Sequence, residues 1–250
     1  MTTEEILKQC TVEDLVVKLP NIQLDRKDYL QVKKQLELIG GKWKGGKVAG
    51  FVFKTDPTEL LESIAGGAKR NLKKEYQFFA TPPKTALQLV VLVGRIKSHH
   101  RVLEPSAGQG AIIRELNVIG IKPYCFELME QNRIILEQSG LDYELLGDDF
   151  LAEHPEDMLG FDAIIANPPF SKNQDIDHVR KMYSMLNDDG IIVSITSNSW
   201  RNGNQKKQKA FKEWLADIGA VVIDLEEGTF KESGTMVGAN IVLIKKGWND

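Results

Sequence analysis

Cysteine is nearly absent: Cys10 and Cys125 are the only two in 250 residues. They stand too far apart in sequence for a disulfide framework or a cysteine metal cluster. Histidine is almost as scarce, with four copies. His154 and His178 fit no ligand spacing and read as structural or surface residues, so no metal site is expected. Long hydrophobic runs are also missing. None approaches the roughly 18 to 20 residues that cross a bilayer, and the acidic start MTTEEILKQC is unlike a signal peptide, so a cytoplasmic protein is expected. Nor does one sign of charge dominate: the formal net charge of -3 excludes a uniformly basic coat for nucleic acid. Internal repeats and low-complexity tracts are absent too.

What is present is an ordinary folded composition, 42% hydrophobic and 27% charged, long enough for one large domain or two unequal ones. Its charge is unevenly spread. Residues 31–54 hold Lys33, Lys34, Lys42, Lys44, Lys47 and Lys54 against Glu37 alone, a local excess of positive charge that suits phosphate or a solvated face. Tyr29, Val32, Leu36 and Ile39 recur at helical spacing behind Asp25, a capping residue, and stop at Gly40-Gly41. KWKGGKVAGFVF then reads as a hairpin about Gly45-Gly46. Pro57 opens a short helix through TELLESI, and AGGAKRNLKKE reads as a linker. Residues 1–75 are thus predicted to form a small helix-hairpin-helix module, α+β in class.

From residue 76 to 250 the pattern becomes α/β, with strands separated by helices, the signature of a parallel sheet with crossovers. Strands are expected at RVLEP, KPYCFE, YELLG, FDAIIA, GIIVSIT, AVVIDL and ANIVLIK, seven in all. Helices are expected at QGAIIRELNVI, LMEQNRIILEQS, DIDHVRKMYSML and QKKQKAFKEWLADI. The loop between the last two strands is too short for a packed crossover helix, which makes that pair antiparallel.

Ligands of open α/β sheets gather at the carboxyl ends of the strands, where four stretches stand out. The first strand runs into Glu104, Pro105, Ser106, Ala107, Gly108, Gln109 and Gly110, a turn in which glycine lets a ligand approach the backbone. A dinucleotide fingerprint would place a small residue three positions after Gly110, where Ile113 stands. The second strand ends at Glu127, where a ribose-binding acid is expected. The third ends in GDDF, offering Asp148 or Asp149 to an adenine amine and Phe150 to its face. The fourth leaves through Asn167, Pro168, Pro169 and Phe170.

This order closely resembles the class I S-adenosylmethionine-dependent amino-methyltransferases, over roughly residues 76–246. The stretch FFATPP (residues 78–83) narrows the match: it resembles the segment preceding the cofactor motif in N6-adenine DNA methyltransferases. The amino-terminal module resembles, more loosely, the leader of some phage- and plasmid-borne members. The resemblance implies a Rossmann-like seven-stranded sheet and S-adenosylmethionine as cofactor. Phe79, Thr81 and Pro82 would help to hold its methionine end, with Glu104, Pro105, Ser106, Gly108, Gly110, Glu127, Asp149 and Phe150 around the rest. Asn167 and the Pro168 carbonyl would accept the two N–H groups of the target amine, Pro169 would stiffen the turn, and Phe170 would stack on the base. Such a base must leave the duplex or arrive unpaired.

Phe230 is expected either against the other face of that base or in ordinary packing. Ser197, Asn198 and Trp200 either line the cleft or, for Trp200, cover the core. SHHR (residues 98–101) reads as a solvated loop. Lys42, Lys44 and Lys47 are expected to contact DNA phosphate, because many relatives carry a target-recognition domain after the catalytic one and this sequence stops at Asp250. Alternative substrates for the same chemistry are an RNA base, at adenine N6 or guanine N2, and a protein glutamine amide. A catalytically silent nucleic-acid-binding module is the alternative of another kind.

Overall fold

The computed structural model describes all residues except 77–78, 155–157, 159, 232–237 and 248–250. The chain divides into two compact units, Met1–Phe78 and Phe79–Asp250.

In the first unit, helix α1 (Thr3–Leu7) starts at a reciprocal cap. The Thr2 hydroxyl accepts from the Glu5 N–H (3.1 Å), and the Glu5 carboxylate accepts from the Thr2 N–H (2.8 Å). Strands β1 (Thr11–Glu13) and β2 (Val16–Lys18) follow, then α2 (Arg26–Leu38), β3 (Lys42–Lys44), β4 (Gly50–Val52), α3 (Thr58–Ala65) and α4 (Leu72–Tyr76). Asp25 caps α2 as its position suggests, its carboxylate accepting from the Asp28 N–H. The four strands form an antiparallel sheet in the order β1-β2-β4-β3.

Two features extend the helix-hairpin-helix reading. The β1–β2 hairpin turns at Asp14, a non-glycine residue at φ 53°, so it lacks the glycine signal that marks the β3–β4 hairpin. The expected linker contains α4, whose first turn is tied by the Glu75 carboxylate to the Asn71 N–H and to Arg70.

The second unit runs α5 (Pro83–Val93), β5 (Val102–Glu104), α6 (Ala111–Val118), β6 (Tyr124–Phe126), α7 (Glu130–Glu137), β7 (Glu144–Gly147) and β8 (Phe161–Ala166). A 3-10 turn at Ser171–Asn173 leads to α8 (Gln174–Met185), β9 (Leu186–Ser197), α9 (Ser199–Asn202), α10 (Lys206–Asp217), β10 (Val221–Asp224) and β11 (Ala239–Lys245). The seven expected strands form one sheet in the order β10-β11-β9-β8-β5-β6-β7. β11 is antiparallel to both its neighbours, and the other pairs are parallel. β9 begins four residues earlier than its apolar run. Leu186 already pairs with Phe161, and the acidic residues between are absorbed by a register shift with Asp189 at φ 64°.

Both faces of this sheet are covered, which is why β8 is apolar almost throughout. Ile164 and Ala166 join a core with Ile176, Val179 and Met182 of α8 and Phe211 of α10. Ala163 and Ile165 face the opposite way, toward Ala86 and Leu89 of α5 and Ile112 and Leu116 of α6. After β5 the chain adds β6 and β7 on one side, then crosses back to place β8 on the other. β5 and β8 are therefore adjacent at the point where strand order reverses, and a crevice is expected beyond their carboxyl ends.

Candidate active site

Glu104 ends β5 and is 2% exposed. Its Oε2 atom has no hydrogen-bond partner among the described residues. Burial, and then the nearby Glu127, push its carboxyl well above the usual range, while an N–H from Ile113 pulls the other way. The chain leaves through Pro105 and Ser106, and the Ala107 N–H ties the turn to the Phe126 carbonyl of β6 (2.9 Å). Gly108 and Gly110 then take φ values of 57° and 79°. A Cβ at Gly110 would lie 2.5 Å from Leu141 Cδ1 and 2.9 Å from Leu136 Cδ2. Here both the backbone angle and the space demand glycine.

Glu127, just past β6, faces this turn. One carboxylate oxygen accepts from the Gly108 N–H (2.6 Å), the other from the Met129 N–H (2.8 Å) and from Asn132 Nδ2 (3.2 Å). Burial raises its carboxyl, and these donors offset part of the rise. Asn132 is itself buried on α7, and its Oδ1 accepts from Gln109. It is a site-supporting residue that sequence reasoning missed, since nothing marks an asparagine inside MEQNRIILEQS except its later burial.

Past β7, the Asp149 carboxylate accepts from the Leu151 N–H (2.9 Å), and Asp148 pairs with Arg133 (3.3 Å). Phe150 does not present a ring face at the sheet edge. It is buried in the core, 5.6 Å from the Phe126 ring and 5.5 Å from His178. His178 is likewise a core residue, its basicity lowered to about 4 by burial.

Asn167 follows β8. Its Nδ2 donates to the Thr81 hydroxyl (3.0 Å) and the Phe79 carbonyl (3.3 Å), joining two motifs that lie 86 and 88 residues apart in sequence. A carbonyl only accepts, so this contact fixes which end of the amide is nitrogen. Among the described residues, neither Asn167 Oδ1 nor the Pro168 carbonyl accepts a hydrogen bond. Two consecutive residues of the turn thus hold acceptors that no described donor engages. Pro168 is buried and Pro169 half-buried, while Pro82 and Pro83 shape the start of α5 behind Thr81. Phe79 and Phe170 pack against the α5–α6 core, into which Phe230 is fully inserted. Phe230 is therefore a packed residue of that core. Most of the loop that follows it, residues 232–237, lies outside the described residues.

The exit from this turn is strained and clamped. Lys172 and Asn173 both have positive φ, 54° and 59°. The Asn173 amide donates to Gln205 (2.9 Å) and accepts from Gln208 (3.0 Å). Two residues on, Asp175 is fully buried and accepts from both the N–H (2.9 Å) and hydroxyl (2.8 Å) of Ser197. These bonds tie the 3-10 turn after β8 and the start of α8 to the start of α10 and the end of β9. Ser197 is engaged in this clamp, and Asn198 bonds the buried Asn240 (2.8 Å). Trp200 covers the core, its Nε1 donating to Thr196 (3.0 Å). Lys42, Lys44 and Lys47 belong to the first unit, on β3 and the loop after it, all exposed.

Neither a protein-family model nor a curated protein matches the chain. Solved structures do match. A candidate class I S-adenosylmethionine-dependent methyltransferase from Listeria monocytogenes aligns over 99% of this chain and 80% of its own, with TM-score 0.54 and 13% identity. A candidate RNA methyltransferase from Pyrococcus horikoshii aligns over 70% of this chain and 91% of its own, with TM-score 0.50 and 18% identity. The methyltransferase subunit of a type I restriction-modification system from Streptococcus thermophilus aligns over 69% of this chain, with TM-score 0.52 and 17% identity, and the match spans only 45% of that subunit. At these identities the likeness is one of fold. The seven-stranded sheet with its reversed last strand is the fold of the class I methyltransferases.

Proposed function

We propose that this chain transfers the methyl group of S-adenosylmethionine to an exocyclic amine of a nucleic-acid base, with N6 of adenine in DNA as the substrate. The observation that carries the reading is the Asn167 amide, fixed by Thr81 and Phe79 so that its oxygen is left unengaged beside the Pro168 carbonyl. Two acceptors on consecutive residues match the two N–H groups of an aromatic amine. Accepting both draws the nitrogen away from conjugation with the ring and frees its lone pair for attack. The bond formed would be N–C and the bond broken C–S, its electrons leaving with sulfur, and one amine proton would pass to solvent as the nitrogen returns to neutrality. S-adenosylmethionine, once bound, supplies a methyl group on a positively charged sulfur.

The turn after β5 fits that cofactor. Glu104 Oε2 is buried and without a partner, as expected of an acid that meets a cationic ligand. Gly108, at φ 57°, has no side chain to obstruct approach to the backbone there. Glu127 uses three of roughly four acceptor positions within the protein, which leaves capacity for a ribose hydroxyl. Asp149 is assigned to the adenine amine of the cofactor and Phe79, Thr81 and Pro82 to its methionine end. Phe170 is assigned to the target base. DNA is preferred to RNA or protein because of the FFATPP resemblance.

The test is tritiated methyl transfer to duplex DNA, single-stranded DNA, RNA and protein extract in parallel, with Asn167→Ala as the control. Label recovered from DNA as N6-methyladenine, and lost in the variant, supports the reading. Label confined to RNA or protein rejects the substrate; no label despite cofactor binding rejects turnover and favours a binding module.

A further inference from the structure

The lysines of the first unit do not form an undirected patch, because the strand register sorts them. Lys42 pairs with Val52 and Lys44 with Gly50; Val52 in turn pairs with Val16, and Val16 with Glu13. Side chains alternate across a sheet, so residues in register share a face. One face therefore carries two rows running across all four strands: Glu13, Val16, Val52 and Lys42, then Thr11, Lys18, Gly50 and Lys44. The contact that a Cβ at Gly50 would make with Lys18 Cδ (3.2 Å) and Val16 Cγ1 (2.6 Å) agrees with that placement. The opposite face carries Val17 and Phe51, both fully buried, with Trp43 edge-on to Phe51 at 5.1 Å. That face is thus core at β2 and β4, while Trp43 on the outer strand is 42% exposed. On the other, Lys42 and Lys44 are exposed, and Val16, Lys18 and Val52 are half-buried.

Three lysines stand on this open face against Glu13, which lies 4.0 Å from Lys18. Gly50, buried at the middle of the second row, has no side chain of its own there, and Val16 and the Lys18 stem close over it. Lys18 also donates to the Val48 carbonyl, which draws the β3–β4 loop, and Lys47 with it, toward the same end of the sheet. Burial, and then the like charge of Lys42, lower the basicity of Lys54, a sign of crowded positive charge beside β4.

We propose that this open face of the four-stranded sheet is a nucleic-acid docking surface, holding the DNA phosphate backbone between Lys42 and Lys44 on its outer strand and Lys18 across Gly50. Charge complementarity selects the occupant: a polyanion meets several lysines at once, whereas Trp43, the one large aromatic of β3, lies on the opposite face, edge-on to Phe51. The surface therefore holds DNA by its backbone and reads no sequence. This inference takes its ligand from the proposed function, but the two can fail separately.

The experiment measures binding of fluorescently labelled duplex and single-stranded DNA to the full chain across a series of salt concentrations. Lys42→Ala/Lys44→Ala is expected to weaken duplex binding roughly 10- to 100-fold at low salt and to flatten the log–log salt slope by about 1.8, the counterion release of two phosphates. Val52→Glu, which sets an acid in the middle of the same face, is expected to weaken binding as strongly, with circular dichroism checking that the fold is kept. Lys34→Ala, which removes one positive charge on α2, is expected to bind as wild type does. Wild-type affinity and slope in the double variant, or equal losses in Lys34→Ala, would overturn the surface, as would wild-type protein that binds no DNA. If DNA is bound through these lysines but never methylated, the surface stands and the proposed reaction falls. If DNA is methylated with unchanged KM in the double variant, the reaction stands and the surface falls.

Discussion

The turn that leaves β5 and the turn that leaves β8 start from neighbouring parallel strands at the same edge of the sheet. The first is made with glycines at positive φ around a buried acid, one oxygen of which has no partner among the described residues. The second is made with consecutive prolines around an amide whose nitrogen is already held by two acceptors. One turn keeps an unpaired oxygen at Glu104 and places glycine at two of its positions. The other has its donors satisfied and its acceptors presented. The difference separates a cradle that a ligand must complete from a fixed pair of acceptors that needs no ligand to set it. A reaction joining a bound donor to a visiting amine requires both, one on each side of the strand-order reversal.

The comparison breaks most severely at Gly110. Gly110→Ala places a Cβ at a positive φ and within 2.5 Å of Leu141 Cδ1. Left-handed strain and overpacking together are expected to destabilise the second unit by about 2 to 4 kcal/mol, read as a lowered urea midpoint. Alanine at Gly120, at φ 77° but with nothing within 4 Å of its Cβ, is the strain-only comparison and should lose less.

Glu104→Gln tests the unpaired acid itself. Burial and Glu127 raise the Glu104 carboxyl in the folded state, so the folded protein holds that proton more tightly than the unfolded chain does. Its contribution to stability is therefore complete below the ordinary glutamate value of 4.5 and is lost as pH rises toward the raised value. His178 works in the opposite sense, weakening the fold as pH falls from 6.5 toward about 4. Because His178 is common to both proteins, the difference between variant and wild type isolates Glu104. The variant should gain stability relative to wild type as pH rises above 4.5 and should bind S-adenosylmethionine more weakly. A stability difference independent of pH would show that Glu104 is not the strained acid.

Much of this contrast is legible in the sequence, because its parts are local. Glycine and proline mark turns, an apolar run marks a doubly covered strand, and a short final connection marks an antiparallel pair. Glu104, Glu127 and Asn167 are found at strand ends because the α/β pattern locates those ends. What escapes is whatever depends on contacts distant in sequence. Thr81 reads as a cofactor contact, and its bond to Asn167 spans 86 residues. Asp175 and Asn132 look like ordinary polar positions of helices α8 and α7 until burial gives them partners. Phe150 follows GDD where an exposed ring is expected, yet Phe126 and His178 enclose it. In the first unit, Asp14 turns a hairpin that glycine would have announced.

Two smaller changes sharpen the other half of the comparison. Thr81→Val keeps the shape beside Asn167 and removes an acceptor for Nδ2, leaving the longer bond to the Phe79 carbonyl. One neutral hydrogen bond is worth about 1 kcal/mol, so methyl transfer should fall roughly five- to tenfold. Thr81→Ser, which keeps the hydroxyl, should restore most of it. A merely structural role would lower stability in step with rate, so unfolding is measured alongside turnover. Pro169→Ala should have the smallest effect. It restores freedom to the unfolded chain and to the turn, an entropic loss of about 0.4 to 1 kcal/mol, and slows transfer only a few-fold. Rate rather than cofactor affinity should carry that loss, because Pro169 belongs to the turn that presents acceptors and not to the one that cradles the donor. If cofactor affinity falls instead, the two turns are not separate devices, and Asn167 and Glu104 must be treated as one coupled site.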